Sequence, residues 1–230
     1  MFIVKNGKLY NMRKGVILFH SNINGIYKKR WIDECIDSLL NQTDNDFTFY
    51  EINYGGDDYS ILNGREIKQD KKFWSSKMEN YAEAMNFIID KAFKDSCDIV
   101  FNVNLDDIYQ ETRIEKQTEF IKKGNDVVSS DFCYIEEDGG KDKFTTFMLM
   151  SRYLQDIDNQ LESNHNIIAH PAVAYGKRFW TDGNIYDTKM VPEEDLELWK
   201  KMKKRGYKFH IVPEVLLFYR IHKNQVSHKN

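Results

Sequence analysis

A chain of 230 residues that is 41% apolar and 14% aromatic carries enough apolar material for one large core. Its net charge of −3 speaks against an electrostatic nucleic-acid binder, and no apolar run approaches the roughly 18 residues of a transmembrane segment. Cys35, Cys97 and Cys133 are widely spaced and lack a C-x-x-C pattern, which excludes a disulfide scaffold and points to a reducing, cytoplasmic compartment.

In chain order, Phe2–Lys5, Asn6-Gly7 and Lys8–Tyr10 predict a hairpin with a type I′ turn. This is an N-terminal extension, residues 1–14, on a single domain spanning 1–230. Val16–Phe19 reads as a buried strand that ends in the polar loop His20–Gly25. Trp31, Ile32, Cys35, Ile36, Leu39 and Leu40 recur at helical spacing, with Asp33, Glu34 and Asp37 facing outward. Phe47–Ile52 supplies the next strand, so the order is βαβ and the sheet is parallel with a right-handed crossover. Ser60–Ser76 is polar and aperiodic and reads as a mobile loop. Tyr81, Met85, Ile88, Ile89 and Ala92 mark another helix.

That helix feeds Ile99, Val100, Phe101 and Val103, an apolar run that stops in two adjacent carboxylates, Asp106 and Asp107. Ligands of open α/β sheets bind beyond the carboxyl ends of strands. An acid there can hold a divalent cation, and the cation a nucleotide's phosphates. Spacing alone leaves a second reading open, in which both acids are solvated or one caps a helix starting near Glu111.

Beyond this point Ile114, Phe120 and Ile121 predict a helix, and Val127–Ile135 a strand joined through Asp138-Gly-Gly140 to a partner at Phe144–Met150. Arg152–Glu162 reads as helix, His170–Tyr175 as a strand entering the rear of the site, and Trp180–Asn184 as a loop. Pro192 suits the first turn of a helix whose core face is Leu196, Trp199 and Met202 and whose stop is Gly206. Its basic end, Lys200–Arg205, suits the helix dipole. Phe209–Val212 and Val215–Ile221 read as closing strands. The fold class is α/β, with a mainly parallel central sheet, helices on both faces and an antiparallel second half.

Four segments in order carry a more specific signal. They are Glu34-Cys-Ile-Asp-Ser-Leu-Leu-Asn-Gln-Thr43, Asp106-Asp-Ile-Tyr-Gln-Glu-Thr-Arg-Ile-Glu-Lys-Gln117, Glu194-Asp-Leu-Glu-Leu-Trp199 and Val212-Pro-Glu-Val-Leu-Leu-Phe-Tyr-Arg-Ile-His222. Together they resemble the inverting glycosyltransferases of family 2, which have the GT-A fold, over residues 15 to 227. The resemblance implies transfer of a sugar from a nucleotide-diphosphate sugar donor to a glycan or other hydroxyl acceptor. It makes Asp106 similar to the second acid of the family's D-x-D motif, which binds Mn²⁺ or Mg²⁺, and His222 a further metal ligand. Asp195 looks like the general base. The donor would be contacted by Phe19, His20, Asn53, Tyr54, Asn104, Leu105 and Asp106, and the acceptor by His170, Trp180, Asp182 and Glu194.

The chain departs from the family pattern at several donor contacts. Asn104 stands for the first acid of D-x-D, Phe19-His-Ser-Asn22 for Pro-x-Tyr-Asn, Asn53-Tyr54 for two acids, and Met85 for an Arg. These changes leave the base open and keep an alternative in view, a degenerate domain that binds a nucleotide, sugar or partner without catalysis. A nucleotidyltransferase ranks last, because His20–Gly25 has one Gly and no Lys or Arg to cradle a triphosphate.

Overall fold

The computed structural model describes residues 3–5, 8–21, 23–140, 143–223 and 225. The expected Asn6-Gly7 turn lies outside them, as do residues 226–227 at the end of the resemblance. Strands β1 (Ile3–Lys5) and β2 (Lys8–Tyr10) pair antiparallel as a separate ribbon. The main sheet begins with β3 (Lys14–His20), whose 15–18 stretch is wholly buried, and passes through a short helix α1 (Ile23–Ile26) into α2 (Lys29–Leu40). Trp31, Ile32, Cys35, Ile36 and Leu39 are buried along one face of α2, each large apolar side chain contributing about 1.5–3 kcal/mol on complete burial. The chain returns in β4 (Thr48–Asn53), parallel to β3.

The segment expected as a loop contains a further strand, β5 (Lys71–Ser75), parallel to β4 at the edge of the sheet. Its side chains are mostly exposed, so no apolar run announces it. Residues 60–62 ahead of it are buried rather than mobile surface. Helix α3 (Tyr81–Lys94) follows, capped by Asn80, whose side chain accepts from the Glu83 amide at 3.1 Å. It leads into β6 (Ile99–Val103), parallel to β3 and fully buried.

A two-residue strand, β7 (Ile108–Tyr109), separates the acid pair from α4 (Arg113–Lys122), so neither Asp106 nor Asp107 caps that helix; its N-cap is Thr112. Gln42, at the end of α2, pins the junction by donating to Gln110 O and accepting from the Ile114 amide. Next come β8 (Val127–Ile135) and β9 (Phe144–Met148), an antiparallel pair. A 3₁₀ segment and α5 (Ile157–Glu162) fill the region expected to be helical.

His170–Ala172 form a 3₁₀ turn instead of strand, followed by β10 (Ala174–Gly176) and α6 (Lys177–Thr181). Helix α7 (Glu194–Lys204) begins after Pro192, which precedes its N-cap Glu193 instead of occupying the first turn. One long strand, β11 (Phe209–Arg220), closes the fold, with register shifts near Val215 where two strands were expected.

The sheet order is β5-β4-β3-β6-β10-β8-β11-β7, with β9 attached to β8. In the second half β10, β9 and β7 are the antiparallel elements, while β11 runs parallel to β8. Strands β3, β4, β6, β8 and β11 therefore all end at the same edge, and that edge carries the site.

Candidate active site

Five carboxyl-terminal strand ends surround a cavity of about 670 Å³. Phe19 comes from the end of β3, Tyr54 from just past β4, Asn104 and Asp106 from just past β6, Phe132 and Tyr134 from β8, and Tyr219, Ile221 and His222 from the end of β11. The opposite wall is the turn before β10, with Asn166 and His170, and the first turn of α7, with Glu194 and Asp195.

The acid loop is held rigidly. Tyr109 Oη accepts from the Asn104 amide at 2.8 Å and donates back to Asn104 O, clasping residues 104–109. Arg220, with a fully buried side chain, donates from Nε to Asp106 O at 2.8 Å, from Nη1 to Gly139 O at 2.7 Å and from Nη2 to Glu34 at 2.6 Å. The same residue's amide donates to Asp107 Oδ1 at 2.9 Å. Asp107 is thus turned away from the cavity, and burial together with the Asp106 charge pushes its carboxyl well above the usual carboxylate range.

Asp106 keeps its own carboxylate on the cavity, where Oδ2 lies 2.8 Å from Nε2 of His222. Residues 116 apart in the chain meet because β11 brings its end beside the tip of β6. Among the described residues no set of three or more His, Cys, Asp or Glu side chains converges. A carboxylate and an imidazole nevertheless suit Mn²⁺ or Mg²⁺ when substrate phosphates and water complete the shell.

Across the cavity, Asp195 accepts from Asn166 Nδ2 at 2.8 Å and from the Leu196 amide at 2.7 Å. Glu194 is buried, with Oε1 accepting from Tyr81 at 2.7 Å and Oε2 without a hydrogen-bond partner among the described residues. Burial, the largest influence, raises its carboxyl above the usual range. His170 packs against Tyr186 and Trp199, and its Nε2 lies 3.0 Å from Tyr186 Oη, which lies 2.5 Å from Tyr175 Oη. Burial pushes the His170 imidazole below the usual histidine range.

The structure thus brings together Phe19, Tyr54, Asn104, Asp106, His170, Glu194, Asp195 and His222. It does not bring His20, Asn53, Leu105, Trp180 or Asp182 to the cavity. His20 is buried against Glu51, 2.8 Å away, and Glu51 also accepts from Ser60 Oγ and the Ile61 amide. Asn53 pins its own turn, donating to Asp57 and to Tyr59 O and accepting from the Gly55 amide. Leu105 is core.

Trp180 and Asp182 lie at the other edge of the sheet, because β10 runs antiparallel to β6 and carries the chain from Phe101 back to Ile99. There Trp180 donates to Asp90 and stacks on Phe93, while Asp182 accepts from Tyr207 and Arg178. Sequence reasoning missed Tyr27, Tyr81, Phe132, Tyr134, Asn166 and Tyr219 as cavity residues. The i, i+2 spacing of Phe132 and Tyr134 in a strand was a readable sign of a shared face; Tyr81 and Asn166 are brought in only by tertiary packing.

The mainly parallel sheet, with its acid-tipped central strand and a second acid lining the same cavity, has the architecture of the GT-A glycosyltransferases that are its structural neighbours. Residues 23–183 match the family model described as Glycosyl transferase family 2, and the chain belongs to that family. It is 25% identical over 200 residues to the O-antigen biosynthesis glycosyltransferase WbnJ of Escherichia coli, covering 84% of this chain and 75% of WbnJ. It is also 25% identical over 209 residues to an uncharacterized glycosyltransferase of Methanocaldococcus jannaschii, covering 84% of this chain and 67% of that protein.

Among solved structures, S. aureus TarS 1-349 in complex with UDP-GlcNAc superposes with a TM-score of 0.67 at 13% identity, over 95% of this chain and 61% of that one. The mannosyltransferase PcManGT from Pyrobaculum calidifontis, in complex with GDP-Man and Mn²⁺, gives 0.61 at 13% identity, over 93% and 58%. The chain therefore spans about three fifths of these solved relatives, and the likeness to them is one of fold.

Proposed function

We propose that this chain is a single-domain, metal-dependent, inverting glycosyltransferase that moves a sugar from a nucleotide-diphosphate sugar to a hydroxyl acceptor. The observation that carries the reading is the placement of the Asp106–His222 pair and Asp195 on opposite walls of one cavity. Complexes of structural neighbours with UDP-GlcNAc and with GDP-Man and Mn²⁺ support the donor class and the metal.

When bound, Mn²⁺ or Mg²⁺ would take up negative charge developing on the leaving diphosphate. Asp106 and His222 would hold it. Asn104, a neutral oxygen donor where relatives carry an acid, leaves Asp106 as the principal anion of the loop. The Asp195 carboxylate, oriented by Asn166, accepts the proton of the acceptor hydroxyl as its oxygen bonds to the anomeric carbon and the bond to the diphosphate oxygen breaks. In-line attack inverts that carbon. Tyr54 stacks on the base, and no carboxylate from Asn53-Tyr54 reads a uracil edge. The thiols of Cys35, Cys97 and Cys133 are buried and form no disulfide, which supports a reducing, cytoplasmic location. Among the described residues no helix is long and apolar enough to cross a membrane.

Calorimetry of UDP, GDP, dTDP and CMP with and without Mn²⁺ tests the donor half of this reading. Tight binding of at least one diphosphate that depends on Mn²⁺ and falls sharply in Asp106→Asn is the expected result. Equal affinity and equal metal dependence in the wild type and the variant would overturn it.

A further inference from the structure

We propose that His170 is held as the neutral imidazole with its hydrogen on Nδ1, and that it presents this N–H to a hydroxyl oxygen of the carbohydrate bound in the cavity that Asp195 also lines. The assignment follows from counting hydrogens along a buried relay. Tyr175 is fully buried in β10, and among the described residues its hydroxyl has one partner, Tyr186 Oη at 2.5 Å. A buried O–H left undonated is costly, so Tyr175 donates and Tyr186 accepts. The hydrogen of Tyr186 then goes to the other partner of that oxygen, Nε2 of His170 at 3.0 Å. Nε2 must therefore offer a lone pair.

A neutral imidazole carries one hydrogen, and with Nε2 bare it sits on Nδ1. Burial favours that neutral form, opposed only by the Asp195 charge. Nδ1 has no partner among the described residues. It is also not sealed, in contrast to Nδ1 of His20 and of His222, and the ring lines the cavity.

The backbone is as constrained as the ring. Asn102, in β6, donates from Nδ2 to His170 O at 2.9 Å, and its amide donates to Val173 O at 2.9 Å. His170 is thus fixed to the strand that delivers Asp106. A hydroxyl oxygen that accepts from Nδ1–H can at the same time donate its proton to Asp195, which directs its free lone pair toward the sugar. His170 is in this account a positioning donor, and neither a base nor a metal ligand, since its only free nitrogen carries the hydrogen. The identity of the ligand rests on the transferase reading; the tautomer does not.

Nitrogen-15 NMR of the histidine-labelled full chain reads the tautomer with no ligand present. His170 should show a protonated Nδ1 and a bare Nε2, and should stay neutral below the pH at which an exposed histidine titrates. Tyr186→Phe removes the donor to Nε2, so the population should shift toward the Nε2–H form, and Tyr175→Phe should relax it part of the way. A protonated Nε2 in the wild type, or a tautomer indifferent to both variants, would overturn the assignment.

The positioning role has its own test in slow hydrolysis of UDP-GlcNAc or GDP-Man, where water stands in for the acceptor. His170→Asn keeps an N–H near the Nδ1 position and His170→Gln places one near Nε2. The Gln variant should lose about three- to tenfold in kcat, the value of one hydrogen bond, at unchanged donor KM, and Asn should retain most of the activity. Equal rates for Asn and Gln would refute the positioning role. A wild type that hydrolyses no donor would count against the transferase reading alone, because the tautomer is decided separately.

Discussion

Replacing Arg220 by Met should destabilise the protein by about 3 kcal/mol, the lower end of what losing one partner of a buried ion pair costs. The side chain is fully buried, and burial pulls against its charge. Most of its acceptors keep a second donor. Glu137 O still receives Trp31 Nε1, Gly139 O still receives Arg30, and Glu34 remains paired with Arg30. Among the described residues only Asp106 O is left without a partner, which accounts for about 1–3 kcal/mol of that cost if water does not reach it. These retained contacts place the total near 3 rather than 5 kcal/mol. For a chain of this length that is a fall of about 6–12 °C in Tm. Because the orphaned carbonyl belongs to Asp106, nucleotide affinity should fall beyond what unfolding explains. Differential scanning calorimetry and nucleotide titration on the same preparation check both effects. A Tm within 2 °C of wild type, roughly half a kcal/mol, would refute the claim that Arg220 pins the acid loop.

Tyr54→Ala should weaken UDP, GDP and dTDP by a similar factor, about fivefold or more, since base stacking is indifferent to base identity; a loss confined to one nucleotide in competition binding would contradict it. Glu194→Gln should change the pH dependence of stability. Because burial raises the folded-state value of Glu194, the native chain holds a proton that the unfolded chain releases above its ordinary value of 4.5. That contribution is fully present below 4.5 and is lost as pH rises through the raised folded value. Urea unfolding at several pH values from 4.5 upward should therefore show the wild type losing stability relative to Glu194→Gln as pH rises, and a constant difference would refute it.

Much of the fold was legible because buried parallel strands announce themselves as apolar runs. Val16–Phe19, Phe47–Ile52 and Ile99–Val103 are such runs, and the acids after the last mark the edge that carries the cavity. Strand β5 was not legible, because an edge strand with mostly exposed side chains has no buried apolar run and is defined by its parallel ladder to residues 49–53 of β4. Asp106 and His222 meet through a 2.8 Å hydrogen bond, whereas no local pattern could place Tyr81 against Glu194 or Asn166 against Asp195.

His20 and Asn53 look like loop residues at strand ends, yet His20 bonds to Glu51 of the neighbouring strand β4 and Asn53 to Asp57 of its own turn. Trp180 and Asp182 follow the cavity-lining His170 in the sequence. The antiparallel course of β10, set by pairing with β6 and β8, carries them to the far edge.

The separation of an enzyme from a binding module rests on Asp195. Asp195→Asn keeps the side chain's size and its place beside Asn166 but removes the proton acceptor, and it costs only about 0.3–1 kcal/mol of helix-terminal charge. The measurement is kcat for sugar transfer or slow donor hydrolysis, with donor Kd determined in parallel by calorimetry. The expected result is a fall of about two to four orders of magnitude in kcat, the usual contribution of a positioned base, at unchanged Kd. Turnover equal to wild type, or a loss of donor binding in step with turnover, would contradict the assignment of Asp195 as the base.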